Sequence, residues 1–317
     1  MSFKTCEDKA ETISRCLQLA ILLEISAYPK PGNVHRTSDF KETRFEHFLA
    51  SAVAVAPHLK KAAQQGMEVT AKKINPSEIG IGKIIKNAIE SIMYWQRNGN
   101  TLLGATMLLV PIAISAGMLF QKRFSVATLR ENIKIIVESS TPLDAVNVYE
   151  AISIAKPGGL GKVTELDVNE TNSRERILDE HITLYDVFKI ASTYDSIASE
   201  WIHNYRLTFD LGNPYFHHQI EYTKDINIAT VHTFLKILSE VPDTFIARKI
   251  GLANAKKISV KAKTVLDKGG LTTMTGKTLL WKLDKELRDE SNELNPGTTA
   301  DITEAVLAIN ILRGYRP

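Results

Sequence analysis

Two cysteines in 317 residues, Cys6 and Cys16, are too few for a disulfide framework, and no CxxC pair is present to hold zinc. That scarcity fits a reducing interior, so a cytoplasmic location is expected. The chain also lacks a concentrated basic face. Its net charge of +3 is spread along the sequence, which argues against a nucleic-acid partner and is compatible with an anionic small molecule. The first residues include Glu7, Asp8 and Glu11 with no basic region leading into an apolar one, so no signal peptide is expected.

Strict apolar–polar alternation is nearly absent; its best instance, 162–168, is short. Familiar nucleotide motifs are missing too. In Gly158-Gly-Leu-Gly-Lys162 the position five before Gly161 is Lys156 rather than glycine, and Val163 stands where a P-loop needs Ser or Thr. Gly80-Ile-Gly82 lacks a third glycine and a preceding strand. His217 and His218 are adjacent rather than four apart, a poor zinc pair, and no Ser-His-Asp set is suggested by spacing.

What is present is helical periodicity. It recurs over 13–25, 45–56, 79–95, 102–119, 145–154, 184–203, 226–238, 253–266, 279–287 and 302–312. Gly and Pro punctuation falls between these segments, as at Gly212–Pro214 and Gly269–Gly270. The pattern predicts one large all-α domain over residues 1–317. Residues 99–121 carry no charge, and their length of about 20 residues would suit a membrane span. Gly104, Pro111 and Gly117 interrupt the run and it has no companion elsewhere, so a buried central helix is expected and no membrane. The stretch 157–181 reads as the longest irregular region, either a lid or a solvated excursion.

Two polar turns echo each other across the chain, Tyr28-Pro-Lys-Pro-Gly-Asn-Val-His-Arg36 and Leu294-Asn-Pro-Gly-Thr-Thr-Ala-Asp301. Each combines a Pro-Gly turn with side chains able to hold phosphate, metal or ribose. In the first, Lys30, Asn33 and Arg36 are candidate phosphate contacts, and Asp39 is a metal ligand or a helix cap. In the second, Thr298-Thr-Ala-Asp301 fits a capping box, although a helix start can equally bind phosphate or present magnesium. Asn100-Thr101 opens the uncharged segment, with Thr101 as its N-cap and Gly104 allowing close approach. Asp195 falls mid-helix in an apolar stretch, where a carboxylate is costly unless paired. Arg248-Lys249 reads as a solvated helix face.

Lys30-Pro-Gly32, Asn100-Thr101 with Gly104, Asp195, and Asn295-Pro-Gly297 through Ala300-Asp301 occur in an order that resembles the triphosphoribosyl-dephospho-CoA synthases. The similarity runs from about residue 12 to 313 and looks nearest the archaeal branch, for which Phe45–Ser51, Pro157–Gly161 and Pro242–Lys249 are also typical. The resemblance implies an all-helical pentosyltransferase. It would join the triphosphorylated ribose of ATP to the ribose 2′-hydroxyl of 3′-dephospho-CoA and release adenine. It further implies magnesium on Asp39 and Asp301, phosphates on Lys30 and Arg36, and Asp195 and Asp301 as catalytic carboxylates. Gly32, Asn33, Asn100, Thr101, Gly104, Gly158, Gly159, Gly161, Asn295, Gly297, Thr298 and Thr299 would frame the substrates.

The sequence departs from the bacterial pattern. Leu102-Leu103 replaces His-Lys, Leu160-Gly-Lys162 replaces Arg-Gly-Glu, and Ile197 replaces an Asn. Those losses leave open a related magnesium-dependent ribosyl transferase or N-ribosyl hydrolase, or a non-catalytic nucleotide or CoA-binding protein. The expected partners are small nucleotides, and a homodimer is compatible with the sequence.

Overall fold

A computed structural model describes residues 6–121, 123–160, 165–288 and 292–317. Their secondary structure is helical, with no strand among them. In chain order the helices are α1 (Cys6–Ser26), α2 (Phe45–Thr70), α3 (Ile81–Trp95), α4 (Leu103–Met118), α5 (Val126–Glu138), α6 (Pro142–Ala155), α7 (Thr171–Asp179) and α8 (Leu184–Ala191). They continue with α9 (Ser196–Ile202), α10 (Asn213–Thr223), α11 (Ile226–Glu240), α12 (Thr244–Ile250), α13 (Leu252–Asp267), α14 (Met274–Leu287) and α15 (Gly297–Leu312).

The uncharged segment is the hub. Of the 16 residues of α4, 14 are buried, against α2 most extensively and also α1, α3, α5 and α15. Apolar on every side, it needs neighbours on every side, and a bundle supplies them. No helix among the described residues is long and apolar enough to cross a membrane. Glycine lets α2 and α4 touch: a Cβ on Gly66 would lie 1.9 Å from Ile114 O, and one on Gly117 would lie 2.0 Å from Ala63 O. Pro111, inside α4, cannot donate to Met107 O four residues back. The indole Nε1 of Trp201 donates to that carbonyl instead, at 3.0 Å, and Tyr205 Oη donates to the next one, Leu108 O, at 3.0 Å. The helix-breaker is thus compatible with the helix because α9 and its following turn satisfy the freed group.

A second apolar cluster joins α11, α12, α13 and α14 through residues such as Val231, Phe234, Ile246, Ala262 and Leu283. Helix α15 serves both: Ala300 packs in the second cluster, while Ile302, Ala305, Val306 and Ile309 pack in the first. The start of α15 therefore sits where the two clusters meet.

Several expectations change. The segment 157–181 contains α7, and the described part of 162–168 is bend and turn rather than strand. The periodic stretch 184–203 is two helices, broken at 192–195. Gly212–Pro214 does not interrupt the chain's helical path: a π-helical stretch, Leu207–Gly212, runs directly into α10, with Gly212 at helical φ of −69° and ψ of −50° and Pro214 at the junction of the two. Helices α5 and α12 also lie outside the periodic segments read from sequence.

Candidate active site

A cavity of about 770 Å³ opens where the helix starts converge. Its wall takes Asn33 from the first polar turn, Asn100, Thr101 and Gly104 from the head of α4, and Asn295, Gly297, Thr298, Asp301 and Glu304 from the second turn and α15. Further lining comes from α6, α8, α9 and the segments around Gly158 and Asp167.

The two echoing turns meet. Asn33 Nδ2 donates to Asn295 Oδ1 at 2.8 Å, across a separation of 262 residues. Gly32, with φ of 71°, has no room for a Cβ, which would lie 2.6 Å from Leu287 Cβ and 3.0 Å from Leu294 O. Its N–H donates to Asp284 Oδ1 at 3.0 Å.

The floor is acidic. Thr298, Asp301 and Glu304 follow one another at three-residue spacing on one face of α15, and Glu24 of α1 joins them at the wall. Glu24 Oε1 accepts from Lys30 Nζ at 2.5 Å, and the same ammonium donates to Asn33 Oδ1 at 3.0 Å. Asp301 Oδ1 accepts from Ala105 N at 3.0 Å, so a residue near the C-terminus caps α4. Gly104 makes that approach feasible, since a Cβ there would lie 2.1 Å from Asp301 Oδ2. Glu304 is buried, and its Oε2 has no hydrogen-bond partner.

Burial pushes Asp301 and Glu304 well above the usual carboxylate range, and the neighbouring Glu24 adds to both. Glu24 is raised by its own burial, against which Lys30 pulls down. Carboxylates packed this way favour protons or cations, because Lys30 offsets only part of their burial and mutual repulsion.

Two further aspartates organise the rim. Asp243 Oδ2 accepts from Thr299 N at 2.7 Å and Thr299 Oγ1 at 2.8 Å, while its Oδ1 accepts from Phe245 N at 2.9 Å and Ile246 N at 3.1 Å. It therefore ties the starts of α12 and α15 together, and the capping box expected at Thr298 does not form. Asp195 is the N-cap of α9 rather than a mid-helix residue. Its Oδ1 takes the N–H groups of Ile197 and Ala198, and its Oδ2 pairs with Arg248. Arg248 and Lys249, read from sequence as solvated, line the cavity with Lys156.

The remaining expected residues divide. Asn33, Asn100, Thr101, Gly104, Gly158, Asp195, Asn295, Gly297, Thr298 and Asp301 line the cavity. Lys30, Gly32 and Thr299 support it from behind. Thr101 does not cap α4; its Oγ1 bonds Ser51 Oγ at 2.7 Å, and Asn100 Oδ1 accepts from Leu103 N at 3.0 Å. Arg36 is exposed and lies 4.0 Å over the Tyr28 ring, and Asp39 is exposed with Oδ1 accepting from Phe45 N at 2.8 Å, so neither is part of the cavity wall. Gly159 borders a smaller neighbouring cavity, and Gly161 lies outside the described residues.

Glu24 and Glu304 were not among the residues singled out from sequence. Glu24 is the lone charge in the apolar run Leu17–Ile25, and that isolation is the available signal. Glu304 reads as an ordinary first-turn acid until α15 is seen to turn that face inward.

The family model described as ATP:dephospho-CoA triphosphoribosyl transferase (CitG) matches residues 10–317. The chain is 22% identical over 297 residues to the 2-(5″-triphosphoribosyl)-3′-dephosphocoenzyme-A synthase of Klebsiella pneumoniae, covering 92% of this chain and 88% of that one. A Malonomonas rubra protein provisionally given the same name is 23% identical over 305 residues, covering 95% and 87%. A crystal structure from Archaeoglobus fulgidus, provisionally named a triphosphoribosyl-dephospho-CoA synthase, superposes with a TM-score of 0.62 at 23% identity. It covers 84% of this chain and all of that one, and at this identity the likeness speaks for the fold.

Proposed function

Because the chain belongs to the ATP:dephospho-CoA triphosphoribosyl transferase family, we propose that the acid-floored cavity joins C1′ of the triphosphorylated ribose of ATP to the ribose 2′-hydroxyl of 3′-dephospho-CoA. The C1′–N bond to adenine breaks, the C1′–O bond forms, the hydroxyl proton is lost, and adenine leaves with a proton. The observation that carries this assignment is the carboxylate floor of Glu24, Asp301 and Glu304. As adenine departs, positive charge develops at C1′, and a floor of crowded carboxyl groups that favours cations stabilises that charge.

Asp301 is the residue we assign to take the hydroxyl proton. Its Oδ1 is anchored by Ala105 N, while Oδ2 overhangs Gly104 at the cavity wall. Its raised affinity for protons, caused first by burial, makes it a stronger base than an exposed aspartate. Lys156, Arg248 and Lys249 supply positive charge on the wall for the phosphates. Asp195, with both oxygens engaged, is better read as positioning Arg248 than as a base.

Magnesium is part of this reading. Among the described residues no three His, Cys, Asp or Glu side chains stand ready to hold a metal ion. Magnesium commonly takes one or two carboxylates and fills its other positions with water and phosphate oxygens. Glu304, with its unpartnered Oε2, and Glu24 would hold it. When bound, the ion would neutralise phosphate charge. Asp39, outside the cavity, is not in this set. A cytoplasmic setting belongs to the same reading and is supported by the free, buried Cys16.

The test is incubation with ATP, magnesium and dephospho-CoA, following free adenine and the mass of the CoA product. Adenine with a triphosphoribosyl mass gain is expected. Adenine without that gain would replace the transferase with an N-ribosyl hydrolase.

A further inference from the structure

A second cavity, of about 530 Å³, lies against the first. The two share Ile152, Lys156, Pro157, Leu160 and Val168, so the end of α6 and the segment after it border both cavities. Among the described residues, Ser153, Gly159, Asn169, Glu170 and Arg174 also line the smaller space. Its lining is mixed: Ile152, Pro157, Leu160 and Val168 are apolar, Lys156 and Arg174 are cationic, and Glu170 is anionic. Arg174 Nη2 donates to Ser153 Oγ at 2.7 Å, which holds the guanidinium at the wall.

Three observations bear on what this space takes. A cavity of about 770 Å³ is of the size that holds one drug-sized ligand, whereas the proposed reaction needs two nucleotides at once. Lys156 lies at the junction and borders both cavities. It also ends α6 with φ of 46°, a left-handed conformation that glycine adopts more cheaply.

Resting on the transferase reading, we infer that the smaller cavity is the subsite for the 5′ tail of the acceptor. That tail is a diphosphate followed by a pantetheine chain. The acceptor's ribose 2′-hydroxyl must reach the acidic floor, so its 5′ substituent has to lead away from it. The diphosphate then passes Lys156, and the pantetheine, with its gem-dimethyl and amide groups, enters the partly apolar, partly polar space beyond. This subsite discriminates dephospho-CoA from shorter adenine nucleotides.

Ser153 and Arg174 border only the smaller cavity, which makes them the probes. Binding of dephospho-CoA, of ADP and of ATP is measured by calorimetry for the unaltered chain, Ser153→Trp and Arg174→Ala. The tryptophan fills the subsite, and the alanine removes a cation from it without adding bulk, so the second variant remains informative where the first perturbs folding. Dephospho-CoA should bind at least about tenfold more weakly to either variant, with ATP and ADP within about twofold of the unaltered chain. Unchanged dephospho-CoA affinity in a folded variant, or an equal loss for all three ligands, overturns the subsite. The binding readout separates the two proposals. Selective loss of dephospho-CoA binding in a protein that releases no adenine keeps the subsite and removes the transferase.

Discussion

Asp301 concentrates the conflict between stability and chemistry at a single residue. Its folded-state proton affinity exceeds that of an unfolded aspartate because it is buried beside Glu24 and Asp243. Glu304 is raised in the same direction by burial, Glu24 and Asp301. Between the unfolded value of about 4 and the raised folded value, the native state binds more protons than the unfolded state. The contribution to stability is thus fully present below pH about 4 and is lost as pH rises through the folded value. Asp301→Asn removes one such group and retains an oxygen for Ala105 N. At pH 7 the ligand-free variant should melt a few degrees higher than the unaltered chain, with a flatter Tm–pH slope as pH rises above about 4. Its adenine release should fall by at least about 100-fold. Calorimetric melts across pH, paired with the adenine assay, test both halves; a lower melting temperature at pH 7 would count against the electrostatic account.

At the scale of elements, α4 shows what a sequence discloses and what it withholds. The missing charge over 99–121, with Gly104, Pro111 and Gly117 inside it, was enough to place a helix at the centre of the bundle. The partners of those three residues were not legible, because each lies far along the chain: Asp301 for Gly104, Trp201 for the carbonyl that Pro111 leaves open, and Ala63 for Gly117. Trp201→Phe keeps the aromatic contact with Phe188 but leaves Met107 O without its donor. It should cost about 1–3 kcal/mol, measured by urea unfolding. Gly104→Ala separates fold from chemistry. Alanine is worth about 1 kcal/mol more than glycine inside a helix, yet its Cβ would stand 2.1 Å from Asp301 Oδ2 and must displace that carboxylate. Turnover should drop by about 100-fold while Tm changes by only a few degrees. A variant with full turnover would show that the position of Asp301 is not critical. The same distance limit explains Arg248: on its own helix it reads as a surface cation, and only the fold brings Asp195 to it.

Across the whole molecule, the site is a long-range construction. The order of the short motifs and their Pro-Gly turns was legible, since turn chemistry is local. The helical class was legible for the same reason, through periodicity. The carboxylate floor was not, because Glu24 and Glu304 lie on helices whose inward faces are decided by packing between α1 and α15. What closes the structure around that floor is the pairing of the two polar turns. Asn33 holds Asn295 and Lys30, its carbonyl accepts from Arg288 Nη2 at 2.6 Å, and Lys30 holds Glu24. A network of this kind should behave as a unit. In a cycle of Asn33→Ala, Asn295→Ala and the double variant, the coupling in unfolding free energy should be about 0.5–3 kcal/mol. The double variant should also lose little more turnover than the more severe single one, because either substitution already frees the two turns. Strictly additive losses in both stability and kcat/KM would mean that the turns act independently, and that the bond between them is a consequence of the fold rather than a part of the site.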